Sequence, residues 1–178
     1  RQEFDFYGPN HAELALDMVR SDTKSQMLLV FGAGMIGEKL AETHGRFGYS
    51  YMTLVTRNRK MAKRRIQSIN PSSIVTLDEL RSMPVNFKDC DILVASTDMH
   101  RSEYGQNVRD YILRHPVNAV VDVSAQPIMK EADNAITLDS KLMADFIAKH
   151  NERLKCKSEL IRDRISLAVR QFIQPSSS

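Results

Sequence analysis

The stretch Val30-Phe31-Gly32-Ala33-Gly34-Met35-Ile36-Gly37 decides how this chain folds. An apolar run at 27–31 drops directly into Gly-x-Gly-x-x-Gly, and a helical pattern starts at once. In that setting Gly32 allows a tight strand-to-helix turn. Gly34 lets backbone N–H groups approach a pyrophosphate, and Gly37 lets the helix lie close on the strand. Ala33, Met35 and Ile36 complete the turn, so the phosphates of a dinucleotide would rest on the positive end of the helix beginning near Met35.

Upstream, residues 1–9 read as an irregular lead-in. Asn10 then caps a helix with Glu13 three residues on, and Ala12, Ala15, Leu16 and Val19 form its apolar face. After the glycine turn, Ile36, Leu40 and Ala41 carry the helix to the glycines at 45 and 48, where His44 and Gly45 close it. Downstream, the spacing predicts a second strand at 51–56 and a basic helix over 59–69, stopped by Asn70-Pro71. A short third strand at 73–77 and a short helix at 78–83 follow. The near-continuous apolar run 91–97 suits a strand buried on both faces of a parallel sheet. A helix at 104–113, a fifth strand at 118–124 and an edge strand at 135–138 complete the alternation. This order predicts an α/β, doubly wound parallel sheet of the Rossmann type. Its expected extent is 26–138, preceded by the lead-in and helix of 1–25.

From 139 to 174 no glycine or proline interrupts the chain, and Ile147, Leu154, Ile161 and Ala168 recur every seven residues. Their companions Asn151, Ser158, Ile165 and Phe172 become apolar only in the second half. The expectation is a long C-terminal helix, solvated in its first half and packed in its second, ahead of a disordered 175–178 tail. Such a helix reads as a spine toward a partner subunit or another domain.

At 178 residues, 42% hydrophobic and 26% charged, the chain can bury a core without staples, and its net charge of +3 is too small to imply nucleic-acid binding overall. Cys90 and Cys156 lack metal-ligand spacing, so no metal site is expected, and a reducing cytoplasmic setting is the default. No apolar run approaches the ~20 residues of a membrane span, and no signal peptide is visible. The chain starts at Arg1 rather than methionine, which leaves room for a longer protein.

The second strand names the nucleotide. Sites for NAD place an acid at its end to hold the ribose hydroxyls, whereas here Thr56, Arg57 and Asn58 stand there. An arginine can pair with a 2′-phosphate and its neighbours can hydrogen-bond it, so NADPH is expected over NADH. Lys60, Lys63, Arg64 and Arg65 on the following helix read as a solvated basic face.

With G-A-G-M-I-G at 32–37, L-V-T-R-N-R-K-M-A at 54–62, D-I-L-V-A-S-T at 91–97 and V-V-D-V-S at 120–124, the chain resembles the NADPH-binding domain of the glutamyl-tRNA reductase family. The likeness runs from about residue 10 to 174 and includes the long spinal helix. It implies reduction of a glutamyl thioester, formed from glutamyl-tRNA, to glutamate-1-semialdehyde for tetrapyrrole synthesis, with tRNA read by other domains and a homodimer built through the long helix. It also implies Ser96 and Thr97 near the ribose-nicotinamide end and Asp122 and Ser124 lining the crevice. The chain departs from the family at Thr97-Asp98-Met99-His100 and at Ile128, where an arginine is expected. Neither cysteine has the context of the family's nucleophile, so catalytic residues stay unassigned.

Against the resemblance stand blander assignments. Cys90 reads as core and Cys156 as incidental, and the methionines read as core filler. His100 follows a strand's carboxyl end and is the weak catalytic candidate, with Asp98 and Glu103 able to pair near it. Two other functions remain open: a free-standing NADPH reductase of another carbonyl or imine, and a non-catalytic nucleotide-binding assembly module.

Overall fold

The computed structural model describes residues 11–20, 24–95, 102–130, 132, 135–137 and 139–173. The chain divides after Met143 into two compact units. The first carries α1 (His11–Arg20), β1 (Met27–Phe31), α2 (Met35–Thr43), β2 (Tyr51–Val55), α3 (Arg59–Arg65), β3 (Ile74–Val75), α4 (Leu77–Arg81), β4 (Cys90–Val94), α5 (Glu103–Leu113), β5 (Ala119–Asp122) and β6 (Ala135–Thr137). The second carries all but the first turn of α6 (Lys141–Ile173).

The six strands form one parallel sheet in the order β3-β2-β1-β4-β5-β6. Strands β1 and β4 lie at its centre, and their apolar runs are buried because helices cover both faces of such a sheet. Leu29, Phe31, Ile92, Val94 and Val120 pack with Val108, Tyr111 and Ile112 of α5 into one core. The order reverses between β1 and β4, the switch point at which sheets of this class hold ligands.

Element boundaries depart from expectation where tertiary burial or capping overrides local pattern. Helix α3 stops at Arg65, four residues short of the expected end at 69, because Ile66 turns extended (φ −101, ψ 107) and is buried to 1% exposure. Strand β3 is only two residues long, because Thr76 and Glu79 form a reciprocal capping box that starts α4 at Leu77. Strand β4 begins at Cys90, so this cysteine belongs to the strand itself. Helix α2 ends as expected near the glycines. His44 Nδ1 lies 3.3 and 3.2 Å from the Leu40 and Ala41 carbonyls, and Gly48 (φ 79) stops the last turn in the left-handed region. Asn10 lies outside the described residues.

At the amino end of the sheet, buried Asp91 accepts hydrogen bonds from Ser25 Oγ (2.9 Å) and Tyr49 Oη (2.8 Å). Arg20 donates to Ser25 O at 2.7 Å and lies 4.6 Å from the Tyr49 ring, which pins α1 to the sheet. In α6, Met143 is buried, and Ser140 caps the first turn by accepting from Met143 N at 3.2 Å. On this chain the seam residues Ile161 and Ile165 of its second half are exposed, at 40% and 59%.

Candidate dinucleotide cleft

Each glycine of the turn has a distinct physical duty. Gly32 sits at φ 126, where a side chain would be strained, and its N–H donates to Val55 O at 3.0 Å. A Cβ on Gly37 would lie 2.2 Å from Gly32 O, so α2 reaches β1 only because that position is bare. A Cβ on Gly34 would meet nothing within 4 Å, and no side chain caps this first residue of the helix end. The N-terminus of α2 therefore opens onto empty space with its dipole unblocked, which suits a phosphate.

Two clefts meet at Gly32 and Ala33. One, of about 230 Å³, is walled by Thr56, Arg57, Asn58, Met61, Arg65 and Tyr104. The other, of about 220 Å³, is walled by Gly34, Met35, Ile36, Ala95, Val123 and Ser124. Ala95 and Val123 follow β4 and β5, so both clefts open at the carboxyl ends of the strands. A dinucleotide has this form, with two nucleoside halves joined at a pyrophosphate over the glycine turn, and the residues present fit one.

At the end of β2, Thr56 Oγ1 accepts from Asn58 N (3.3 Å) and Asn58 Oδ1 accepts from Met61 N (3.0 Å), capping α3. Between them Arg57 is exposed, with its guanidinium carbon 5.5 Å from the centre of the Tyr104 ring. Among the described residues no carboxylate lines this cleft. Arg65, expected on a solvated face, instead donates to Ala33 O at 2.8 Å and pairs with Glu38 at 2.9 Å, tying α3 to the glycine turn. Arg59 pairs with Glu79.

Asp122 was expected to line the crevice. It is fully buried, and its carboxylate accepts from Ser124 N (3.0 Å), Ile128 N (2.7 Å) and Met129 N (3.1 Å). Burial raises its pKa above the usual carboxylate range, and these hydrogen bonds oppose the rise. Its role is to shape the loop that presents Ser124. Gly37 likewise sits behind the turn rather than in a cleft. Ser96, Thr97, Asp98 and His100 lie outside the described residues. Among the described residues no cluster of three or more His, Cys, Asp or Glu is placed to hold a metal, and no helix is long and apolar enough to cross a membrane.

Sequence reading missed Tyr104, Met61, Ala95 and Ala125. The last two were accessible in principle, since residues just past a parallel strand line its ligand crevice. Tyr104 carried no such signal.

The protein nfe2 of Rhizobium meliloti is 24% identical over 185 residues, covering 95% of this chain and 56% of that protein, so the chain spans little more than half of this curated relative. Among solved structures, that of RSP, a Rex-family repressor, is 18% identical over 90% of this chain and 74% of its own, with a TM-score of 0.49. A D-isomer specific 2-hydroxyacid dehydrogenase family protein from Aeromonas salmonicida subsp. salmonicida A449 is 15% identical over 74% of this chain and 53% of its own, with a TM-score of 0.36. The shikimate / quinate 5-dehydrogenase family matches residues 13–135, which hold the glycine turn, both clefts and five of the six strands entire. Through that domain the chain belongs to the shikimate / quinate 5-dehydrogenase family, as a nucleotide-binding oxidoreductase module of the NAD(P) type.

Proposed function

We propose that this chain is the NADPH-binding part of an oxidoreductase resembling glutamyl-tRNA reductase, supplying the reducing cofactor to a glutamyl thioester formed on other parts of the protein. The observation that carries the NADPH reading is the end of β2, where Arg57 stands in a cleft that no carboxylate lines among the described residues. The family's domain type is also found in glutamyl-tRNA reductase, which supports the finer reading. So does the 33-residue α6 that follows the domain. Glutamyl-tRNA, pairing of two copies through α6 and a cytoplasmic site of action belong to the same proposal.

When bound, the nicotinamide would supply a hydride. The chain's own residues would bind and orient the cofactor. Gly34 and the first N–H groups of α2 would take the pyrophosphate, with Gly32, Ala33, Met35 and Ile36 shaping the turn around it. Arg57 would meet the 2′-phosphate, assisted by Thr56 and Asn58, while Ser124 would border the other nucleoside half. Ser96 and Thr97 would adjoin that half, and His100 would be the candidate to move a proton at the substrate.

Calorimetric titration with NADPH and NADH, on the wild-type chain and on Arg57→Ala, tests this reading. The expected result is tighter NADPH binding, weakened on the order of tenfold or more in the variant, since a charge-assisted contact is lost. Equal affinity for both cofactors in both proteins would refute it.

A further inference from the structure

Arg57 and Arg65, which wall the first cleft, and Arg59 at the start of α3 are held in three different ways. Arg59 pairs with the Glu79 carboxylate, and Arg65 with the Glu38 carboxylate and the Ala33 carbonyl. Arg57 instead lies 5.5 Å from the ring centre of Tyr104, a residue 47 positions away in sequence. Carboxylate partners cancel the first two charges. An aromatic face attracts a guanidinium through its quadrupole and leaves the charge uncancelled, with N–H donors still able to fork onto a phosphate.

The two partners also differ in rigidity. Arg57 sits on the short connection between β2 and α3, whereas Tyr104 lies in the first turn of α5. That helix is capped by Ser102, which accepts from Gly105 N at 3.0 Å, and is anchored by buried Val108, Tyr111 and Ile112. Tyr104 and Arg57 wall the same cleft. The phenol oxygen of Tyr104 is buried, with no hydrogen-bond partner among the described residues, so the side chain meets Arg57 through its ring. Burial pushes the Tyr104 pKa up to about 12, and the ring stays neutral throughout the working pH range.

We propose that Tyr104 is a positioning residue that sets cofactor choice, its ring holding the Arg57 guanidinium over the cleft with its charge intact for a ribose 2′-phosphate. This rests on the 2′-phosphate reading above and deepens it. An acid at position 104 would pair with Arg57 and compete with the phosphate, and an aliphatic residue would leave the arginine to wander.

The test is binding of NADPH, NADH and adenosine 2′,5′-bisphosphate to the wild type, Arg57→Ala, Tyr104→Leu, Tyr104→Phe and the Arg57→Ala/Tyr104→Leu double variant. Tyr104→Leu should weaken NADPH and the bisphosphate about three- to fivefold and leave NADH unchanged. Tyr104→Phe should bind as the wild type does, and adding Tyr104→Leu to Arg57→Ala should change nothing further. NADH affinity serves as the internal control for the fold. Equal weakening of NADPH and NADH by Tyr104→Leu, failure of Tyr104→Phe to preserve selectivity, or additive effects in the double variant would each overturn the proposal. Should Arg57→Ala itself leave selectivity untouched, the 2′-phosphate reading falls with it. Should Arg57→Ala act and Tyr104→Leu not, only the role of Tyr104 falls.

Discussion

Cys90 and Cys156 are the same side chain in opposite surroundings. Cys90 opens β4 with no exposed surface, and desolvation pushes its pKa up to about 12, so at neutral pH it holds almost no reactive thiolate. Cys156 stands exposed on α6. A disulfide reagent applied to the native chain near pH 8 should therefore label one thiol promptly and the second only after denaturation. Prompt labelling of both would show that β4 opens far more readily than a central strand should. The core assignment of Cys90 was legible because it adjoins the near-continuous apolar run of β4, whereas the distant partners of the buried Asp91 in that run were not. Arg65 was not legible. Its sequence neighbours Lys63 and Arg64 look identical to it, and only the angle at which α3 crosses the glycine turn directs that one side chain to Ala33 and Glu38. Tyr104 was hidden for a related reason, since its meeting with Arg57 exists only once β4 has crossed to the far side of β1.

Where α2 meets β1, two glycines three residues apart separate binding from folding. Gly34→Ala points a methyl into open space at an ordinary φ of −76, so stability should change by no more than about 1 kcal/mol. The methyl would occupy the room a pyrophosphate needs, and NADPH affinity should fall at least about tenfold. Gly37→Ala drives its methyl to 2.2 Å from Gly32 O, a backbone atom that cannot step aside. Its cost should reach about 3 kcal/mol, visible in a thermal melt without any ligand. Melting curves that shift equally for the two variants would refute this division of labour. The motif made both duties legible, because each follows from the absence of a Cβ at a fixed step along one turn. Element ends were less legible. The basic pattern of 59–69 promised a longer α3, but burial of Ile66 repays more than another turn of exposed helix.

For the molecule as a whole, the proposed pairing of copies through α6 would have to overcome the charges that flank its apolar seam. Leu154, Ile161 and Ile165 form its apolar seam, exposed at 43%, 40% and 59%. At 3.6 residues per turn, Lys155 and Arg162 flank the seam on one side and Lys157 and Arg164 on the other. A second copy laid along this seam, parallel or antiparallel, brings basic flank against basic flank. The seven-residue recurrence made the long helix and its stripe legible, but pairing through that stripe was expected from the resemblance without weighing its flanks. Screening should settle the contest, because the Debye length shrinks from about 10 Å at 0.1 M salt to about 3 Å at 1 M. Self-association of this chain, followed by sedimentation equilibrium, should therefore strengthen severalfold between about 0.05 and 0.5 M sodium chloride. Ile165→Glu should abolish that gain, since it buries a carboxylate in the apolar seam. A dimer that instead weakens with salt would be held by opposite charges, and its interface would have to lie somewhere other than the basic-flanked seam of α6.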